Sequence, residues 1–393
     1  MSFDIALSGI QAINSQLTTI SNNIANSGTF GFKSSRANFS SMYAGTQPTG
    51  TEIGSITQSI ALGGGVLNTG GSMDASIKGR GFFVSKDSAG TILYSRVGIF
   101  NTDKDGYVTD SFGRRAQGYA AVPGTTTLGA LGDLRVPTGQ IPASASTKMD
   151  YVGNLSADWT VPTTVPFDPT DATSFNSSVV TEVFDSLGGK HSVTQYYVKT
   201  GANAVDVRYT FDGAVQPTTT ALSFDLFGRL NPPGPVTLAL APVGAAAMSV
   251  GVNYAGTTQF AGEATSTTNA ANGYAAGALT GVQISEDGAV MATYSNSEKQ
   301  SIGTLALATF ANEGALESVS DTSWVSTNAS GNALYSTPGR GMTGTLTVGA
   351  LEQSNVDITS ELVSLMTSQR NYQANSKVIS TENAMMQSLM QAL

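Results

Sequence analysis

The stretch SNNIANSGTFGFK (Ser21–Lys33) decides how the rest of the sequence is read. Before it, Phe3, Ala6, Ile10, Ile13, Leu17, Ile20 and Ile24 recur at alternating spacings of 3 and 4, the seam of a helix that pairs with another. Within it, three asparagines and two glycines interrupt that seam. Asn side chains compete for backbone hydrogen bonds, and Asn and Gly accept the left-handed geometry of a helix end. The passage therefore reads as a firm stop to a helix over residues 1–24.

A second seam lies at the other end of the chain. Leu351, Ile358, Leu365, Tyr372, Ile379, Met386 and Leu393 fall seven residues apart. The companion position holds apolar Leu362 and Met390 but polar Gln369, Ser376 and Asn383. This predicts a helix over 357–393, roughly 50 Å long. Two seams at opposite ends predict helices that pair with each other. One partner leaves the polar seam positions and the other helix faces poorly covered, so neighbouring copies are expected to complete the packing.

Between the helices the chain changes character. All 13 prolines lie from Pro48 to Pro338. The pattern D-x-x-G recurs at Asp87, Asp103, Asp110, Asp185 and Asp225, with SEDG at Ser285–Gly288 as a variant. Asp first and Gly fourth is the chemistry of a type I turn, and the flanking stretches alternate or are apolar, as in hairpins. The fold class expected is mainly β outer domains, hairpin-rich and barrel- or sandwich-like, with terminal α-helices pairing as a coiled-coil-like inner domain. Composition shifts place an inner β domain at 72–145 and 274–339, an inserted outer β domain at 146–273, and extended arms at 25–71 and 340–356.

Composition excludes several functions. Charged residues make up only 12%, about half the usual share, and the net charge of −9 with no basic cluster argues against nucleic acid. Without cysteine and with one histidine, disulfides, thiolate sites and multi-histidine metal sites are excluded. No apolar run is long enough to insert in a membrane, and the N-terminus lacks a basic start and cleavage site.

Three motifs suggest chemistry and fail on context. NTDKDGYV (101–108) places Asn101, Asp103 and Asp105 like half a calcium loop, but Phe112 stands where a bidentate Glu is needed and the flanks read as strands. GRGFF (79–83) lacks the third glycine and following helix of a dinucleotide fingerprint. Asp185, Ser186 and His191 supply triad letters with no nucleophile elbow. No enzyme, cofactor or metal is expected.

The opening MSF with Asn22, Asn23, Ile24, Ala25, Asn26, Gly31, Phe32 and Lys33 resembles the flagellar axial proteins, which close the N-terminal helix with N-N-[IL]-A-N and G-[FY]-K. The C-terminal pattern S-N-V-D, E-L-V, Q-R-x-Y and N-x-K-x-I lies over Ser354–Ile379. Rod members are shorter and lack a sizeable middle insertion, so the resemblance favours the hook members. It implies a structural homopolymer: a curved helical tube acting as a universal joint between motor and filament. The assembly residues are then Ile10, Ile13, Leu17, Ile20, Ile24, Ile358, Leu362, Leu365, Tyr372, Ile379 and Met386. The resemblance further implies export without a cleaved signal through the flagellar type III apparatus, assembly outside the cell, and contacts with a hook cap, the distal rod protein and the hook–filament junction protein. The competing readings are another axial protein, distal rod or junction, and an adhesin-like binding module.

Overall fold

A computed structural model describes residues 2–122 and 127–392. The chain divides into two units: 1–138, 281–292 and 299–393 form the first, and 139–280 with 293–298 the second.

The first unit holds both terminal helices, α1 (Ser2–Ala25) and α2 (Ile358–Ala392). Asp357 caps α2, its Oδ1 accepting from the amides of Thr359 (2.9 Å) and Ser360 (3.3 Å). Asn23 Nδ2 donates to Glu361 Oε1 at 2.9 Å, while Gly9 lies against the Asn375 side chain. The two contacts are equally far apart on each helix, so the helices run antiparallel, and α2 continues beyond the start of α1.

The asparagines end α1 differently from the sequence reading. Among the described residues, no Asn of the motif is left-handed; Gly31 is, at φ 68°, but it lies beyond the end of α1, where its amide meets the Glu352 carbonyl. Asn26 instead folds back on the last turn, its Nδ2 donating to Asn22 O (3.1 Å) and Oδ1 (2.6 Å), and Thr29 Oγ1 donates to Asn26 Oδ1. Asn22 O already accepts the Asn26 amide at 3.0 Å, so the Asn26 side chain adds a second donor to the last helical bond.

Two stretches expected to be plain extended arms are paired strands. β1 (Ser35–Ala44) and β2 (Gln47–Gln58) form a long hairpin with register shifts at Asn38/Phe39 and Met42/Tyr43. It lies along α1: Thr51 N donates to Ser8 Oγ, and a Cβ on Gly50 would come within 2.0 Å of that oxygen. The hairpin's side chains are largely exposed, so the sequence shows no buried face there. The returning segment also pairs, Thr345–Val348 with Ala75–Lys78 and Ala350–Glu352 with Val66–Asn68.

The body of the first unit is a curled sheet of 13 strands. Phe82, Val84, Tyr94, Phe310, Leu316 and Trp324 fill one core, with Tyr94 edge-on to Phe310 at 4.8 Å. The second unit packs a four-stranded sheet and a five-stranded antiparallel sheet around Met149, Tyr151, Tyr197, Val207, Tyr209, Leu222, Val250 and Tyr254. Gln195, fully buried, is held there by the Tyr254 hydroxyl at 2.6 Å and by its own bond to Thr181.

The D-x-x-G turns share one construction across both units. In each, the Gly amide donates to the Asp carbonyl and the Gly has positive φ: 91° at Gly90, 84° at Gly106, 80° at Gly113, 86° at Gly188 and 72° at Gly228. The Asp Oδ1 accepts from the amides two and four residues on, at 2.7–3.0 Å. These are type I turns closed by a left-handed glycine, the three-residue hairpin connection. Asp103 spends its Oδ1 in this way, and the 101–108 stretch is a hairpin between Phe100–Thr102 and Val108–Asp110. GRGFF likewise bends into the strand Phe82–Lys86 through Gly79 and Gly81, both at positive φ.

Candidate functional site

The two motif-bearing segments converge in the first unit, where the helix pair gives way to the sheet. Lys33, its side chain fully buried, donates to Glu352 Oε1 at 2.5 Å and to Leu62 O at 2.7 Å. Arg96, also buried, donates to the other Glu352 oxygen at 3.2 Å and to the carbonyls of Ile77 and Gly79. Gly64 N reaches Glu352 Oε1 at 3.1 Å, and Gly31 N reaches the Glu352 carbonyl at 2.8 Å. One carboxylate therefore gathers the end of the motif, the stretch after the hairpin, the inner sheet and the returning strand.

Two asparagines extend the node. Asn355 Oδ1 accepts from Ser34 N at 2.7 Å, and its Nδ2 donates to the carbonyls of Ser59 and Leu62 at 3.0 Å each. Asn23 Oδ1 accepts from Ser35 N at 2.9 Å while its Nδ2 donates to Ser35 O and Glu361. Trp324 Nε1 donates to Gln58 Oε1, tying the base of the hairpin to the sheet core, into which Ile60 also packs. Two cations sharing one buried carboxylate leave excess positive charge. Burial pushes the Lys33 ammonium below the ordinary lysine value, Glu352 pulls it back, and Arg96 adds to the depression.

Of the family-motif residues, Asn23, Gly31 and Lys33 enter this node directly, Phe32 through its carbonyl to Asn355 N, and Asn22 and Asn26 close the helix. Asn355 is the asparagine of the S-N-V-D motif, whereas Glu352 and Arg96 were not singled out from sequence, each being a lone charge with no motif around it.

The helix seam is placed as follows. Ile13 and Ile20 are buried, and Ile10, Leu17 and Ile24 are half-buried. On α2, Leu365 and Ile379 face α1, but the companion positions turned inward are Glu361, Ser368 and Asn375 rather than Leu362. Ile358, Leu362 and Met386 are exposed, and Tyr372 sits at the margin. The reason is chemical: Asn23 selects Glu361, and Gly9 leaves space for Asn375 (Cβ position to Nδ2 3.0 Å).

A second apolar stripe remains on α2. Val363, Met366, Val378, Met385 and Leu389 fall on the side away from α1, and all are exposed. Met386 and Met390 prolong the inward seam past the start of α1 and are also uncovered. Among the described residues no cluster of three or more His, Cys, Asp or Glu is placed to hold a metal, and no helix is long and apolar enough to cross a membrane.

Four family models match successive stretches of the chain. They are described as flagella basal body rod protein over 3–33, flagellar hook protein FlgE/F/G D1 domain over 76–150, flagellar basal body protein FlaE D2 domain over 154–274, and flagellar basal body rod FlgEFG protein C-terminal over 347–392. The chain is 38% identical over 404 residues to the flagellar hook protein FlgE of Salmonella typhimurium, covering 99% of each chain. It is 37% identical to that of Escherichia coli K12, again over 99% of each, and 32% identical to that of Brucella suis, over 97% of this chain and 96% of the other. The crystal structure of Helicobacter pylori flagellar hook protein FlgE2 matches its fold with a TM-score of 0.53, at 12% identity over 74% of this chain and 99% of that one.

Proposed function

The chain belongs to the flagellar hook protein family, and we propose that it is the repeating subunit of a curved helical tube that passes torque from motor to filament. One observation carries the assembly step: α2 has two apolar stripes, and α1 covers only one. Burying the five side chains of the second stripe is worth about 1.5–3 kcal/mol each at most. A second copy supplies matching helix faces, and a contact that does not close on itself extends into a filament. The predicted seam residues Ile10, Ile13, Leu17, Ile20, Ile24, Leu365 and Ile379 then build the helix pair within a subunit. Ile358, Leu362 and Met386 join the second stripe in contacts between subunits, and Tyr372 borders both.

The buried node fits the mechanical part of this reading. Torque entering through the helices reaches the sheet along two chain crossings, and Lys33–Glu352–Arg96 braces them against each other. The node resists relative twisting at the crossing, leaving flexibility to contacts between copies. Export without a cleaved signal, assembly outside the cell, and end contacts with a hook cap, the distal rod and the hook–filament junction protein belong to the same proposal, supported by family membership.

Electron microscopy of the purified full chain under assembly conditions tests it. Wild type is expected to give curved tubes. Val378→Asp is expected to keep the helicity and melting temperature of the monomer while forming none. Straight rods or no polymer from wild type, or normal tubes from Val378→Asp, would overturn the assignment.

A further inference from the structure

His191, the one histidine in the sequence, stands between two turns of the second unit. The turn Asp185–Gly189 follows the strand Ser177–Phe184, and Asp212–Gly213 joins Ala204–Phe211 to Ala214–Phe224. His191 Nδ1 lies 2.6 Å from Asp212 Oδ2, and Nε2 lies 3.2 Å from Asp185 Oδ2. The ring packs on Phe211, and the Asp185 side chain is buried. Each carboxylate also holds backbone through its other oxygen. Asp185 Oδ1 accepts from the amides of Leu187 and Gly189, and Asp212 Oδ1 accepts from Ser192 N. Asp212 sits at φ 48°, a conformation that L side chains resist without support.

A neutral imidazole carries one N–H. With a carboxylate facing each ring nitrogen, the unprotonated nitrogen would aim its lone pair at an anion. Only the imidazolium donates to both. We propose that His191, Asp185 and Asp212 form a proton-operated clamp that ties the two turns together when the ring is charged and frees the Asp185 turn when it is neutral. The neutral ring keeps its proton on Nδ1 for the shorter bond to Asp212, so the contact to Asp185 gives way.

The surrounding charges agree. The hydrogen bond with Asp212 is the main influence raising the His191 pKa; burial opposes it, and Asp185 adds to the rise. Burial works against the charged forms of Asp185 and Asp212, but bonds from His191 and backbone amides hold both below the ordinary carboxylate value. On the adjoining strands Lys190 and Glu182 pair with each other at 3.1 Å. The loop after Leu240 meets this turn through Ala246 N and Ser186 Oγ, which are uncharged. A raised histidine contributes stability that is full below its unfolded value near 6.5 and lost as pH rises through its folded value. The depressed carboxylates set the acid limit, their contribution being lost as pH falls through their folded values. Freeing the turn loosens Leu187, whose side chain is 73% exposed at its tip.

Histidine-labelled full-length protein tests this by NMR titration and amide exchange. The single imidazole is expected to titrate above about 6.5, with its midpoint lowered by Asp212→Asn. Protection of the Leu187 and Gly189 amides, corrected for intrinsic rates, is expected to fall several-fold from pH 6 to pH 8.5, and to lose that dependence in His191→Gln. A wild-type midpoint at or below about 6.5, or unchanged pH dependence in His191→Gln, would overturn the clamp. The wild-type titration decides by itself if either variant fails to fold.

Discussion

Replacing Glu352 by Gln keeps the shape of the node and removes the negative charge that Lys33 and Arg96 share. Lys33 and Arg96 are then buried side by side, since their side chains are 0% and 3% exposed. Breaking a buried ion pair by deleting one partner costs about 3–5 kcal/mol, because the remaining charge is uncompensated. For a body of roughly 150–250 residues each kcal/mol moves the melting temperature by about 2–4 °C, so the loss amounts to about 6–20 °C. Lys33→Met is the informative control. It leaves Arg96 paired with Glu352 and removes the excess positive charge, so it should cost clearly less than Glu352→Gln. Trp324 fluorescence reads the melt of the first unit in a Trp159→Phe background, since Trp159 packs in the second unit. The pH dependence supplies an independent arm. Burial already holds the Lys33 pKa below its unfolded value. Between the two values the unfolded chain binds more protons, so stability rises with pH. Deleting Glu352 lowers the folded value further, and the deficit of Glu352→Gln should therefore shrink as pH is raised from 7 towards 9.5. A Glu352→Gln loss within about 1 kcal/mol of wild type, or a Lys33→Met loss as large as that of Glu352→Gln, would refute the charge balance assigned to the node.

Two further predictions concern the turns. Gly106 and Gly113 have nearly the same φ, 84° and 80°, but a Cβ on Gly106 would fall 2.3 Å from Val136 O while one on Gly113 meets nothing within 4 Å. Gly113→Ala should cost about 1–2 kcal/mol for the left-handed backbone alone, and Gly106→Ala distinctly more; equal urea midpoints would contradict this. Asp321 and Thr322 both have positive φ, 63° and 52°, in the tight turn joining Glu317–Val319 to Ser323–Val325. A β-branched residue is strained there, so Thr322→Gly should stabilise the first unit by about 1 kcal/mol in a urea melt, and a destabilised variant would show that the threonine side chain has a compensating role.

What the sequence shows well is what is local. The D-x-x-G turns are legible because the Asp oxygen, the turn amides and the left-handed glycine all lie within five residues, so no distant partner has to be known. The helices are legible from spacing, and the mainly β fold with terminal helices follows from both. The seam's second position was misread because apolarity alone selects Leu362 and Met390, whereas the pairing uses Glu361, Ser368 and Asn375. A helix that buries one stripe against its partner and keeps another uncovered carries two overlapping periodicities. Reading one seam from it mixes them.

The node was illegible for a different reason, which also explains its composition. Lys33 is marked by the G-F-K motif, but its partners Arg96 and Glu352 lie 63 and 319 residues further along the chain, and nothing in the sequence near either points back to it. An apolar cluster at this crossing would satisfy burial but would accept many registers between the segments. Charged groups with carbonyls and amides at fixed distances accept one. Buried ion pairs contribute little net stability relative to apolar packing, while a mismatched partner is heavily penalised. We infer that the crossing exchanges stability for a single defined geometry, the property that the torque-passing role proposed for the chain requires. It follows that Lys33→Met with Glu352→Met and Arg96→Met together should be tolerated far better in a melt than Glu352→Gln alone. The same triple variant should assemble into tubes with more varied curvature under the electron microscope. Tubes as uniform as wild type would show that the charges are not what fixes the joint.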